Sequence, residues 1–209
     1  MIEPAALITV FTTLFVIIDP PGLVPVFIAL TSGMDPRHRR TLALRAIAVS
    51  AVLMAAFLLL GEAVLGFVGI TLPAFRIAGG VLLFLTALDM LFERRQDRRR
   101  GQAEGEVAAP DHDPSVFPLA LPLIVGPGAI TTLILFAGQS DGPGDLLAVA
   151  AVAGAILGIV FLAFLAAPSI ERLLGAVGIN VVTRVLGMLL AALSVQFILD
   201  GLRLSGVGS

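Results

Sequence analysis

"FVIIDPPGLVPVF", Phe15–Phe27, sets an aspartate, two adjacent prolines, a glycine and a third proline inside a run that is otherwise apolar. Proline has no backbone N–H, and its ring clashes with the carbonyl one turn back, so a helix reaching Pro20 must break there. Pro25 removes a further donor. The flanks of this stretch are hydrophobic enough to lie in a membrane, where no water is present to satisfy the backbone groups set free. Such a break is tolerated only when it is buried in protein or lines a wet cavity.

The rest of the chain supports the membrane setting. Of its 209 residues 58% are hydrophobic and 13% charged, with a mean hydropathy of +1.05. A soluble domain does not carry that balance. A spanning helix needs about 20 apolar residues to cross about 30 Å of hydrocarbon. Six spans are read, at about 4–30, 42–60, 72–92, 116–138, 146–167 and 182–202. The expectation is an all-α polytopic membrane protein. Residues 1–3 carry Glu3 and no basic patch, so the N-terminus reads as the start of the first span rather than a signal peptide.

Arginine sets the expected orientation. Lysine is absent, and 11 of the 13 basic residues fall in or beside the first, third and fifth loops, around Arg37, Arg94–Arg100 and Arg172. By the positive-inside rule these loops are cytoplasmic and both termini lie outside. The segment 93–115, "ERRQDRRRGQAEGEVAAPDHDP" within it, reads as a mobile linker whose arginines serve as a topology signal.

Other classes are bounded by what is missing. Cysteine, Trp and Tyr are absent. There is thus no thiol redox chemistry or thiolate metal site, and no aromatic belt. The two histidines, His38 and His112, fall in predicted loops. No cofactor or metal site is expected, and no nucleophile–base pair suggests an enzyme. A net charge of −2 argues against nucleic acid.

The chain also repeats itself. "GEAVLGFVGI" (Gly61–Ile70) is matched by "IERLLGAVGI" (Ile170–Ile179), and "FRIAGG" by "TRVLGM", which places Arg76 on Arg184 and Gly79 on Gly187. The Pro21–Gly22 pair falls on Pro127–Gly128 of "LPLIVGPGAITT". Two three-span units are inferred, 1–92 and 116–209, joined by the linker 93–115. An odd number of spans per unit inserts the second copy upside down, giving an inverted repeat with broken helices 1 and 4.

Two inverted breaks would face each other near mid-membrane. The residues expected to bind a substrate are Asp19, Pro20, Pro21, Gly22, Gly126, Pro127, Gly128 and Thr131. Half-helix N-termini suit a carboxylate. Asp19 is either an N-cap before Pro20, a ligand for an ammonium or proton, or both. Its counterpart is Val125. Arg76 and Arg184 are expected either to snorkel or to act as gates, against Glu62, Glu171 or Asp19. Asp89 and Asp200 read as interfacial. Thr12, Thr13, Thr86, Thr132, Ser194 and Gln196 are weaker candidates, and "GAILG" (Gly154–Gly158) reads as a helix-packing motif.

These motifs resemble those of the MarC family, also described as small neutral amino-acid transporters. "IDPPGLVPVFIALT" is similar to the family's Asp-Pro-x-Gly-x-x-Pro-x-Phe signature, "PLALPLIVGPGAITTLI" to its fourth-span signature, and "RIAGGVLL" and "RVLGMLL" to its repeated Arg-x-x-Gly segments. The resemblance implies six spans in a bacterial inner membrane. It also implies secondary transport of glycine- or alanine-like substrates by alternating access, with proton or sodium coupling and a homo-oligomer both open. A channel or exporter for another metabolite, or a non-transport membrane subunit, is the alternative.

Overall fold

The computed structural model describes residues 4–95, 97–99, 101, 113–140 and 142–206. The described residues are helical throughout, with short connections. The order is α1 (Pro4–Ile18), α2 (Pro20–Leu30), α3 (Pro36–Val68), α4 (Leu72–Leu91), the loosely wound α5 (Ser115–Ile124), α6 (Pro127–Ala137), α7 (Pro143–Leu165) and α8 (Ala167–Leu204). Five of the resulting spans are long and apolar enough to cross a membrane, and the bent pair α5–α6 makes a sixth. His112 and most of the linker lie outside the described residues.

Local signals fix the ends. α3 starts on Asp35, whose carboxylate accepts from the Arg37 and His38 N–H groups, with Pro36 at the first position. His38 is therefore in the first turn of a helix rather than in a loop. α3 stops at Gly69, whose φ of 79° lets Ile70 donate back to the Leu65 carbonyl. α3 and α8 run well past the predicted span limits. Gly175, with φ 61°, kinks α8 between its first turns and its spanning part.

The two proline breaks differ. In the first span Asp19 alone leaves the helix, at φ 57° and ψ 66°. Helical bonds run up to it and away from it, Asp19 N to Phe15 O at 2.9 Å and Leu23 N to Asp19 O at 3.1 Å, so α1 and α2 still count as one span. In the fourth span, Phe117 and Leu121 are extended, each just before a proline, as proline requires of its predecessor. α5 and α6 then meet at 60°.

α1–α2 forms the centre. In its apolar window 72% of the residues are buried, against 28–33% for the other four single-helix spans. Leu14, Ile18 and Leu23 pack there with Leu83, Leu133 and Ile156. Large side chains such as Val52, Leu59, Phe67 and Leu173 point outward, as lipid requires.

α4 and α8 share the most extensive interface, and glycine makes it close. A Cβ on Gly80 of α4 would lie 2.6 Å from Ile198 Cγ1 and 2.8 Å from the Ser194 carbonyl of α8. On Gly187 of α8 it would lie 2.9 Å from Met90 Cβ and 3.3 Å from the Ala87 carbonyl of α4. Gly80→Val is expected to cost about 1–3 kcal/mol by overpacking, read as a lower unfolding midpoint in detergent. Gly154→Ala should not change it. Gly154 and Gly158 are exposed with nothing near them, so the "GAILG" motif, read as a helix-packing motif, packs against no helix of this chain among the described residues.

Candidate functional site

The break at Asp19 leaves named carbonyls without donors. In an unbroken helix the Val16 and Ile17 carbonyls would accept from residues 20 and 21, both prolines here, and Ile18 from Gly22. The Gly22 N–H is turned to Asp19 Oδ1 instead, at 3.2 Å, so Asp19 caps α2. That leaves three orphan carbonyls at the end of α1.

Two arginines from beyond α4 replace the lost donors. Arg95 donates to the Ile17 carbonyl and to Met90 Sδ. Arg99 donates to the Ile18 carbonyl at 3.1 Å and pairs with Asp19 Oδ2 at 3.3 Å. The two are one helical turn apart, and the backbone at 94–95 and 97–99 is helical, so they present the same face. The Thr183 hydroxyl of α8 completes the shell, 3.3 Å from both Asp19 oxygens. Asp19 is fully buried, and Arg95 and Arg99 are 7% and 3% exposed.

This corrects the reading of the arginine run. The part of segment 93–115 that carries Arg95 and Arg99 is folded into the bundle, because orphan carbonyls and a buried carboxylate need donors. Arg98 is also engaged, at 2.9 Å from Asp89. Burial, then the neighbouring charge of Arg99, pushes the Arg95 guanidinium down to about 9, which leaves it protonated at neutral pH. Burial lowers Arg99 as well, against the opposing pull of Asp19. Further out, the Ser115 hydroxyl and N–H hold the Asp113 carboxyl below its usual range.

The second break packs beside the first. A Cβ on Gly128 would lie 3.0 Å from Ile17 Cγ2 and 3.1 Å from Leu83 Cδ2. Beside this contact is a cleft of about 420 Å³, lined by Gly126, Pro127 and Gly128, by Leu82, Leu85 and Asp89 of α4, and by Arg95, Arg98 and Arg99. No side chain caps α6, and its N-terminal residues Gly126, Pro127 and Gly128 lie along the cleft.

The expected site residues divide accordingly. Pro20 and Gly22 are buried at the first break and Pro21 is half-buried. Gly126, Pro127 and Gly128 line the cleft. Thr131 is buried with its methyl against Gly79, and the Thr132 hydroxyl bonds the Gly128 carbonyl at 2.8 Å. The terminal arginines take partners other than those expected. Arg76 donates to Gln139 Oε1 at 2.9 Å and stacks over Phe197, and Arg184 pairs with Glu93 at 2.7 Å. Glu62 and Glu171 are exposed. Among the described residues no cluster of His, Asp or Glu could hold a metal ion.

The model of the MarC family integral membrane proteins matches residues 5–205. The chain belongs to the MarC family. Relatives include a UPF0056 membrane protein of Methanocaldococcus jannaschii, 38% identical over 94% of this chain and 95% of its own length. Another, from Archaeoglobus fulgidus, is 38% identical over 92% of this chain and 90% of its own. The UPF0056 inner membrane protein YhgN of Escherichia coli K12 is 31% identical over 95% and 96%. No solved structure matches. This MarC-family chain is thus an integral membrane protein, with a buried carboxylate and two buried arginines gathered at its first break.

Proposed function

We propose that the protein is a secondary transporter of small neutral amino acids, working by alternating access in a bacterial inner membrane. The observation that carries this reading is the open cleft whose wall is backbone freed by the α5–α6 break. Transporters place substrate on such discontinuous helices. The arginine-rich end is read as cytoplasmic and both termini as external; the relative named as an inner membrane protein supports the membrane assignment.

The two halves, 1–92 and 116–209, are read as inverted copies. The repeated sequence supports this, since it pairs Arg76 with Arg184 and Gly79 with Gly187, and α4 and α8, which carry them, pack on one another. Arg76 with Gln139 and Arg184 with Glu93 then clasp opposite ends, the gating role given to them. Asp19, held by Arg99, is the coupling group: opening the other side requires releasing that pair.

Exchange of labelled alanine and glycine in proteoliposomes tests the reading. The native protein should exchange both, and Asp19→Asn should lose coupled uptake while remaining folded. Absence of exchange with either substrate by a folded native protein would overturn amino-acid transport.

A further inference from the structure

The cleft carries a charge imbalance. Three guanidiniums, Arg95, Arg98 and Arg99, stand against two carboxylates, Asp89 and Asp19. Arg99 is matched by Asp19 and Arg98 by Asp89. Arg95 is 7% exposed, and its bonds go to neutral acceptors, the Ile17 carbonyl and Met90 Sδ. Among the described residues Arg95 has no carboxylate paired to it directly, and Asp19 and Asp89 reach it only through space, so the buried guanidinium is costly. The uncapped N-terminus of α6, at residues 126–128, lines the same cleft and adds the positive end of a helix dipole. Asp19 is sealed behind Arg99 and does not line the cleft, whereas Asp89 does. The partner of Asp89, Arg98, is 60% exposed in its side chain and is free to swing away.

We infer that this cleft binds a small zwitterion, with Arg95 and the first turn of α6 holding its carboxylate and Asp89 receiving its ammonium in place of Arg98. The inference rests on the transport reading for the identity of the ligand. A guanidinium fork matches a carboxylate in charge and in shape. The apolar remainder of the wall, Ile17, Leu82, Leu85 and Leu123, suits a short aliphatic side chain. The substrate ammonium is thereby assigned to Asp89, and Asp19 is left to the latch.

The absence of native cysteine allows a direct test. Thr86 lines the cleft, so Thr86→Cys in purified protein reports occupancy through its rate of modification by a thiol reagent. L-Alanine should protect strongly, propionate (carboxylate alone) more weakly, and ethylamine (ammonium alone) not at all. Arg95→Gln should raise the concentration for half-protection by alanine and by propionate about tenfold or more, the size of one lost charge-assisted hydrogen bond. Asp89→Asn should weaken alanine and leave propionate unchanged. Should Arg95→Gln fail to fold, having lost the Ile17 contact, Asp89→Asn and the three probes decide alone. Protection by ethylamine equal to that by alanine, protection by neither alanine nor propionate, or equal alanine protection in the native and Asp89→Asn backgrounds would overturn the site. Protection that follows the predicted order in a protein that shows no exchange in proteoliposomes would sustain the site and sink the transport reading. Exchange with protection indifferent to both variants would do the reverse.

Discussion

Arg99→Ala is expected to destabilise the protein by about 3–5 kcal/mol, the cost of leaving one partner of a buried pair alone. Asp19 would keep the Gly22 N–H, the Thr183 hydroxyl and the through-space charge of Arg95, but its fully buried carboxylate would lose its direct ion-pair partner. The Ile18 carbonyl would lose its donor as well. Asp19→Asn leaves the buried Arg99 guanidinium unpaired in turn, but it spares the cap. Asparagine tolerates the left-handed backbone of position 19 and still offers an oxygen to cap α2. The double variant Asp19→Asn/Arg99→Ala removes both charges together, so its cost should fall below the sum of the single costs. Chemical unfolding in detergent micelles measures all four forms. Strict additivity would show that the two side chains do not act as a pair.

The size of that effect follows from covalent facts visible in the sequence and from a fold that is not. Pro20 and Pro21 lack N–H groups whatever the surroundings, so the break and the Asp19 cap could be read from thirteen residues. The spans were equally legible, because a helix in lipid must be apolar over its whole length. What could not be read was who would replace the missing donors. Arg95 and Arg99 stand in a polar stretch that resembles a solvated topology signal, and their partners lie about 80 residues away in sequence. One signal was available: orphan carbonyls at Ile17 and Ile18 require long-reaching donors, and the chain's only long cationic side chain is arginine, gathered five-fold after the third span. The terminal arginines show the same limit. Arg76 and Arg184 were read as snorkelling or gating residues, but Gln139 and Glu93 were not foreseen as their partners, since both lie in connections whose course depends on packing.

Gly22→Ala is expected to be nearly as damaging, for a reason confined to the same few atoms. A Cβ at position 22 would stand 2.0 Å from Asp19 Oδ2 and 3.0 Å from Arg99 Nη1. Ordinarily a carboxylate turns away from such a clash at little cost. Here it is pinned from three directions by the Gly22 N–H, the Thr183 hydroxyl and Arg99. Turning it therefore breaks the cap, the ion pair, or both. Overpacking costs about 1–3 kcal/mol, and a lost N-cap adds about 1 kcal/mol, so a loss of about 2–4 kcal/mol is expected in detergent unfolding. The mechanism makes a further demand. In an Asp19→Gly background the backbone keeps its left-handed turn and the obstructing carboxylate is gone, so adding Gly22→Ala should then cost little. If it costs as much there as in the native protein, glycine at position 22 serves the backbone and not the latch. If the cost vanishes, glycine is there to let the carboxylate lie against the helix and be held shut by Arg99.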